Sequence, residues 1–532
     1  MIDIELVIKN YRCFPDKHPL KINIKNEFIA FVGCNNSGKS SVLKFFHEFR
    51  TLFSNFSGDS GWSTVIGSQG GAFSDYNSVK DKNEIFTNTN NRDLIIELRI
   101  RKLRNKISYE NTLIQPDKII LTFKRDTTRY FSSLFAQGNE IELIKSTVTK
   151  EEDAIFSTNA LRIDVSDFRE VFKRLANNIY IAAYRNLLSV SSETVYYDIN
   201  IGMDVVKRWK TDKTGDNIER NNFATKLEDD IASIFGFKSL SIDASEDEKT
   251  FKIRINRKPY KLSDIGAGFA QFLVTLINIG MRQPSFVLID EPELNLHPKL
   301  QIAFLTTLAG YAEEGVLFAT HSIGLARACA DQVFSIKRLS EGISQMGPLE
   351  TTPSLPEFLG ELGFSGYKEL GFEKVLLVEG STDIKTYQQF LRQFDKDQDI
   401  VVLSLGGSDM INGEREYELD EIKRITNEIY SVIDSEKDKK EDTISTRRLA
   451  FIESCKKVGI NCHILEKRAT ENYLVDRAIR KIKGDKYREL APFEKLSDLD
   501  IAWAKHENWR IAREMNFNEV AKTDLGKYLK AI

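Results

Sequence analysis

Apolar and polar residues alternate through the opening of the chain. Ile2, Ile4, Leu6 and Ile8 fall on one side of MIDIELVIKN, and KINIKNEFIAFV repeats the pattern before ending in an all-apolar run. Alternation of this kind predicts strands, the last of them buried on both faces. Three more strand-like runs lie between residues 93 and 147: LIIELRIRKL, KIILTFKR and EIELIKS. Residues 150–178 and 203–236 change period. Phe168, Val171, Phe172 and Leu175 are three and four apart, which predicts helix. From residue 251 the chain reads strand (FKIRI), helix (FLVTLINIG), strand (FVLID), helix (LQIAFLTTLAGYA), strand (VLFAT), helix, strand (VFSIK). That order predicts an α/β sheet with parallel members. The proline-bearing stretch GPLETTPSLPEF marks a boundary. Beyond it KVLLVEG, IVVLSLGG and IYSVIDS are short apolar strands with helices between, the pattern of a second, smaller α/β domain.

Composition narrows the function without naming it. The 532 residues carry 75 Lys+Arg against 78 Asp+Glu, a net charge of −3. Bulk positive charge is therefore excluded as a source of nucleic-acid affinity, and any such binding must use local patches. No run of about 18 apolar residues predicts a membrane span. The charged, alternating start does not read as a signal peptide. Five scattered cysteines (Cys13, Cys34, Cys329, Cys455, Cys462) show no zinc spacing, so reduced thiols in a cytoplasm are expected.

The chemistry is concentrated in two places. Gly33-Cys34-Asn35-Asn36-Ser37-Gly38-Lys39-Ser40 fits G-x-x-x-x-G-K-[ST] between the strand FIAFV and the helix SVLKFFHEF. In such a loop Gly33, Asn36, Ser37 and Gly38 let backbone N–H groups wrap phosphate oxygens. Lys39 reaches the β/γ-phosphates of ATP, and the Ser40 hydroxyl reaches Mg²⁺. The strand FVLID ends in Asp290, placed for Mg²⁺, and Glu291, placed to orient or deprotonate an attacking water. His321 follows the strand VLFAT, where it can touch a γ-phosphate. Ser263, Gly266 and Gly268 precede a helix and suit a further phosphate-binding turn.

The second place is acidic. KVLLV runs into Glu379-Gly380, with Asp383 four residues on, and IYSVI runs into Asp434, Glu436 and then Asp438. Residues two apart in an extended chain point the same way, so Asp434 and Glu436 are expected on one rim, while Asp438, in the charged run DSEKDKKED, either joins them or faces solvent. Crowded carboxylates repel unless cations lie between them, and oxygen-rich clusters suit Mg²⁺ or Mn²⁺. Two such ions can hold a phosphodiester, activate water and stabilise the leaving oxygen.

Several of these features carry a resemblance. Ser263 to Gln271, DEPELNLHP and Thr320-His321-Ser322 resemble the signature region of ABC-type ATPases, in an order similar to the SMC, RecF and OLD (overcoming lysogenization defect) group. LLVEG, the spaced acids after the third strand and Arg468-Ala469-Thr470-Glu471-Asn472-Tyr473-Leu474 resemble the Toprim domain of OLD nucleases, Gabija-type and retron-associated antiphage nucleases included. The resemblance implies an ABC-type P-loop ATPase head (1–149 and 236–346) with a helical insert for dimerisation (150–235). A linker (347–370) and a Toprim nuclease domain (371–532) follow. It implies that Ser263, Gly266 and Gly268 face the ATP of a second protomer, and that Arg185 faces the ATP region. Glu379, Asp434, Glu436, Asp383 and Glu471 then become metal-side acids, with Glu436 longer than the usual Asp. A late lysine, Lys505 or its rival Lys527, would stabilise the transition state. The implied partners are DNA, a homodimer or higher oligomer, and a defence-system protein or retron nucleic acid, with no membrane. The implied activity is an ATP-regulated, metal-dependent DNA endonuclease; the other reading is an ATP-driven sensor whose Toprim domain recruits an effector.

Overall fold

The computed structural model describes the chain except for residues 1–2, 26–27, 34, 69, 103–112, 144–147, 153, 159–160, 184–194, 281, 295, 341, 350–373, 398, 406–410, 412–418 and 420–427. The chain forms two compact units. The first holds most residues up to Leu349. The second holds the C-terminal chain to Ile532 together with His297–Thr306 and Ser322–Asp331.

Two sheets organise the first unit. One is antiparallel and runs Leu20–Ile24, Ile4–Lys9, Leu94–Ile100, Lys118–Phe123, Arg129–Ala136, Gly70–Ala72. Its alternating residues bury Ile4, Leu6 and Ile8 and leave the intervening ones half-buried. The other sheet runs Asn178–Ile181, Phe286–Asp290, Gly315–Thr320, Phe28–Val32, Gln332–Ser340, Ile343–Pro348. It is parallel up to the last pair, which is antiparallel. Strands covered on both faces should be apolar throughout, and Phe28–Val32, Phe286–Asp290 and Gly315–Thr320 are buried at every position. Between the sheets lies an aromatic core that includes Tyr11, Phe45, Phe49, Phe53 and Phe123. The Phe45 and Phe49 ring centroids are 4.9 Å apart.

The helical expectation for 150–178 is met only from Ser166. Thr149–Glu152, Ile155–Ser157 and Arg162–Asp164 are antiparallel strands, and the helix is Ser166–Ala176. The three-and-four spacing begins at Phe168; upstream, the short apolar runs around Phe156 and Ile163 pair across a ladder instead. Asn178–Ile181 then enters the parallel sheet beside Phe286–Asp290, so 150–235 is not helical throughout. Met203–Thr214 and Ile218–Ile234 are the expected helices.

In the second unit the described strands form one fully parallel sheet, in the order Ile400–Ser404, Lys374–Val378, Glu428–Ile433, Asn461–Ile464. Successive residues serve opposite faces. Leu376, Val378, Val402 and Val432 join one apolar cluster, and Val375, Leu377, Val401 and Ile433 join another. From Lys374–Val378 the chain passes to one side and then returns to the other. That reversal opens a crevice at the carboxyl ends of Lys374–Val378 and Glu428–Ile433, the place where open α/β sheets bind ligands.

Candidate functional site

The phosphate loop sits between Phe28–Val32 and the helix Lys39–Glu48. Two glycines are structurally required. Gly38 has φ +105°, and a Cβ on Gly33 would lie 2.4 Å from the Ile336 carbonyl oxygen. Asn36 also takes a left-handed φ of 59°, which turns the loop back over the helix N-terminus. A cavity of about 750 Å³ opens there, lined by Asn35 to Ser41 together with Arg12, Phe86, Asn88 and Glu291. Ser37 Oγ is buried with no hydrogen-bond partner among the described residues, a polar atom that a bound phosphate would satisfy.

Around the loop, Lys39 is buried and its Nζ donates to the Gly33 carbonyl at 3.0 Å. It also lies 3.1 Å from His321 Nε2, which is 2.9 Å from Glu291 Oε1. A neutral ring nitrogen cannot accept from Lys39 and donate to Glu291 at once. Which of the two partners Nε2 bonds at a given moment is set by the tautomer. Asp290 is buried at the end of its strand. Glu291 takes φ 50°, outside strand geometry, and this turns its carboxylate toward His321.

Reasoning from sequence missed two contributors here. Glu293 Oε1 accepts from Thr320 Oγ1 at 2.6 Å and from the His321 backbone N–H at 2.9 Å, fixing the histidine's main chain. Arg12 lines the cavity and is ion-paired with buried Glu48, whose other oxygen accepts from Tyr11 Oη at 2.6 Å. Glu293 lies in DEPELNLHP, so its position was visible but its partner was not. Ser263 lies in the 3-10 turn Leu262–Asp264, Gly268 in the first turn of Ala267–Gly280, and Gly266 between the two. Arg185 lies outside the described residues.

The acidic site is built at the sheet crevice of the second unit. Glu379 directly follows Lys374–Val378, and Asp434 directly follows Glu428–Ile433. One carboxylate oxygen from each of Glu379, Asp434 and Glu436 lies within 4.8 Å of the others. Glu436 does not arrive by extended alternation. It takes φ 55°, and the N–H groups of Ser435 and Glu436 both donate to the Arg468 carbonyl, at 3.0 and 2.9 Å. The same turn carries exposed Asp438 outward to Arg468 at 2.6 Å and Lys495 at 3.1 Å, away from the cluster. Of the two readings open for Asp438 the solvent-facing one holds, because the chain is not extended beyond Asp434.

Each acid has a specific partner. Arg448, buried on the helix Thr446–Lys457, grips both Glu379 oxygens at 3.1 Å. Asp434 Oδ1 accepts from Thr470 N at 3.0 Å and Thr470 Oγ1 at 3.3 Å. Asp383, in the first turn of Ser381–Arg392, accepts from Gly380 N at 2.9 Å. Lys505 Nζ is 2.9 Å from Glu471 Oε1, and Arg468 Nη2 is 2.5 Å from Glu436 Oε2. Lys505, not Lys527, is the late lysine paired with a site carboxylate among the described residues.

Charge crowding follows. Burial pushes Asp383 up to about 7, with Glu471 and Glu379 adding to it against the Gly380 N–H and Lys505. Burial also raises Asp434 well above the carboxylate range, helped by Asp383, Glu379 and Glu471. Glu379 rises through burial despite Arg448. Lys505 is held above the ordinary lysine value. Partial burial pulls it down, and Glu471, Asp434 and Asp383 outweigh that. Glu379, Glu436 and Glu471 pair with Arg448, Arg468 and Lys505, whereas Asp383 and Asp434 have no cation paired with them among the described residues.

Comparison with known proteins bears on the first unit. A family model described as "AAA domain, putative AbiEii toxin, Type IV TA system" matches residues 28–327, from the phosphate-loop strand past His321. The chain belongs to this family. The AAA domain makes it a P-loop ATPase of α/β fold, a class that binds nucleotide, usually with Mg²⁺. The acidic site lies beyond the matched AAA-domain residues. Protein ea59 of Escherichia phage lambda is 28% identical over 179 residues, 32% of this chain and 33% of that protein. The match spans about one third of that relative's length. Among solved structures, the SMC head domain from Thermotoga maritima is 14% identical (66% of this chain, 100% of that one, TM-score 0.35). An SmcHead bound to the C-winged helix domain of ScpA is 11% identical (66% and 98%, TM-score 0.38). No helix among the described residues is long and apolar enough to cross a membrane.

Proposed function

We propose that the chain is an ATP-regulated, divalent-metal-dependent DNA endonuclease of the OLD type, with its second unit a Toprim domain. The observation that carries this reading is the convergence of Glu379, Asp434 and Glu436 at the carboxyl ends of parallel strands. A largely buried, all-oxygen donor set whose carboxylates crowd one another fits a Mg²⁺ or Mn²⁺ ion. Glu379, Asp434 and Glu436 would hold that ion, with Asp383 and Glu471 available to a second. Divalent ions bound there supply Lewis-acid polarisation of a phosphodiester and a water of lowered pKa. Lys505, kept charged by Glu471, would face the negative charge that develops on the phosphate, and Asp383 is suited to hold a proton near neutral pH.

In the AAA domain, Gly33, Asn36, Ser37, Gly38 and Lys39 would hold the phosphates of ATP, and Ser40 and Asp290 its Mg²⁺. Glu291 would orient water and His321 would touch the γ-phosphate. Exposed Gly266, with open space where a Cβ would stand, supports a role for Ser263, Gly266 and Gly268 against the nucleotide of a second protomer. The proposed assembly is therefore a homodimer or larger. A role in cytoplasmic antiphage defence, with a partner protein or retron nucleic acid, rests on the resemblance.

A second reading has one observation behind it. Each of the five acids already has a protein partner, as in a structural ion network on a scaffold that recruits an effector. A plasmid nicking assay with Mg²⁺ or Mn²⁺, with and without ATP, separates the two. Cutting by the wild type that vanishes in Glu379→Ala supports the nuclease, and Lys39→Ala gives the sign of ATP control. ATP hydrolysis with no cutting in any lane favours the scaffold.

A further inference from the structure

We infer, resting on the reading of the acidic site as a divalent-cation site, that Arg448 is a tethered counter-ion that competes with the metal for Glu379. Its guanidinium occupies the carboxylate while no metal is bound, and it must release at least one oxygen before a metal can coordinate there.

Both Glu379 oxygens are hydrogen-bonded. Oε1 accepts from Arg448 Nη2 at 3.1 Å, and Oε2 accepts from Arg448 Nη1 at 3.1 Å and from the Asp434 backbone N–H at 3.3 Å. A guanidinium stays charged at any working pH, and its planar fork matches a carboxylate. A Mg²⁺ bonded at about 2.1 Å to either oxygen would stand beside the guanidinium's like charge, so the fork and the ion compete for the carboxylate.

Burial separates Arg448 from Lys505. Its side chain is 7% exposed, whereas that of Lys505 is 54% exposed and can swing into solvent. Arg468, the third cation, is engaged elsewhere: its Nη2 holds Glu436, and its Nη1 is spread over the Glu436 and Lys437 carbonyls and Asp438. Arg448 Nη2 has a second acceptor within short reach, Glu436 Oε1 at 3.9 Å. By keeping one Glu379 oxygen when it gives up the other, the guanidinium avoids stranding a buried charge, which would cost several kcal/mol.

The test is Mn²⁺ binding to the full-length protein without nucleotide, in an Asp290→Asn background that removes the nucleotide-side carboxylate. Loss of the free-ion EPR signal reads the affinity. Arg448→Met should bind Mn²⁺ about tenfold more tightly, because a charge-assisted hydrogen bond no longer competes. Arg448→Lys, which cannot form the fork, should fall between, and Glu379→Gln should weaken binding. Melting should agree: Arg448→Met is less stable than its parent without metal and gains more from saturating Mn²⁺. If Arg448→Met binds no more tightly while Glu379→Gln still weakens the parent, Arg448 only positions Glu379 and the competition is overturned, with the cation site intact. If neither parent nor Arg448→Met shows Glu379-dependent binding, the cation site itself is overturned. Should Arg448→Met not fold, Arg448→Lys decides: tighter binding supports competition, equal or weaker binding refutes it.

Discussion

The nucleotide site and the acidic site are both assembled at the carboxyl ends of parallel strands, and each uses an acid in left-handed backbone, Glu291 at φ 50° and Glu436 at φ 55°. They differ in what holds them in place. In the nucleotide site one contiguous loop from Gly33 to Ser40 supplies most of the groups, and the main chain itself, with Gly38 at φ +105°, sets their geometry. In the acidic site Glu379, Asp383, Asp434, Glu436 and Glu471 come from three segments far apart in sequence, and Arg448, Arg468 and Lys505 hold three of the five. A backbone-held site tolerates changes around it. A charge-held site changes with every charge removed, and with pH.

That contrast can be broken most sharply at Glu379. Glu379→Ala should abolish plasmid cutting, a loss of about 10³-fold or more for a metal-holding acid, while ATP hydrolysis stays within a few-fold of wild type. Equal loss of both activities would show that the sites are not separately held. Next in size is Glu291→Gln, which should lower ATP turnover by about 10²–10⁴-fold, the range for a lost general base. Equilibrium ATP binding, read by a fluorescent analogue, should be little changed; a large loss of binding would place Glu291 in the phosphate cradle instead.

Glu293→Gln sharpens the comparison from inside the nucleotide site. It keeps the shape and weakens two hydrogen bonds, so turnover should fall about tenfold, on the scale of one to two charge-assisted bonds. Wild-type turnover in this variant would mean that Gly315–Thr320 alone fixes His321.

The smallest effect is a pH dependence of the acidic site. Burial pushes Asp383 up to about 7 from an ordinary 3.8, with Asp434 and Glu379 shifted the same way. Between those values the folded state binds more protons than the unfolded state, so stability falls as pH rises from about 4 to 7. Without divalent ions the urea midpoint should be higher at pH 5 than at pH 8, and excess Mg²⁺ should flatten the difference. A midpoint that rises with pH in the metal-free protein would mean the carboxylates are already neutralised by Arg448, Arg468 and Lys505.

Much of this was legible in the chain because it is local. The phosphate loop is eight consecutive residues whose glycines and lysine act through their own backbone, and FIAFV, FVLID and GVLFAT announce buried parallel strands by being apolar throughout. Glu379 and Asp434 were legible for the same reason, since each ends such a strand. Residues 150–165 were read as helix because short apolar runs carry either period, and only a partner strand chooses between them.

What tertiary structure alone decided is which distant groups meet. Glu293 closing on Thr320 and His321, Arg448 on Glu379, Arg468 bending the chain so that Glu436 enters the cluster and Asp438 leaves it, and Lys505 rather than Lys527 reaching Glu471 all depend on contacts between segments far apart in sequence. A charged side chain is favourable almost anywhere on a surface, so its type and spacing do not select its partner. Only the folded sheet crevice, which buries the carboxylates and makes each one need a counter-charge, does that.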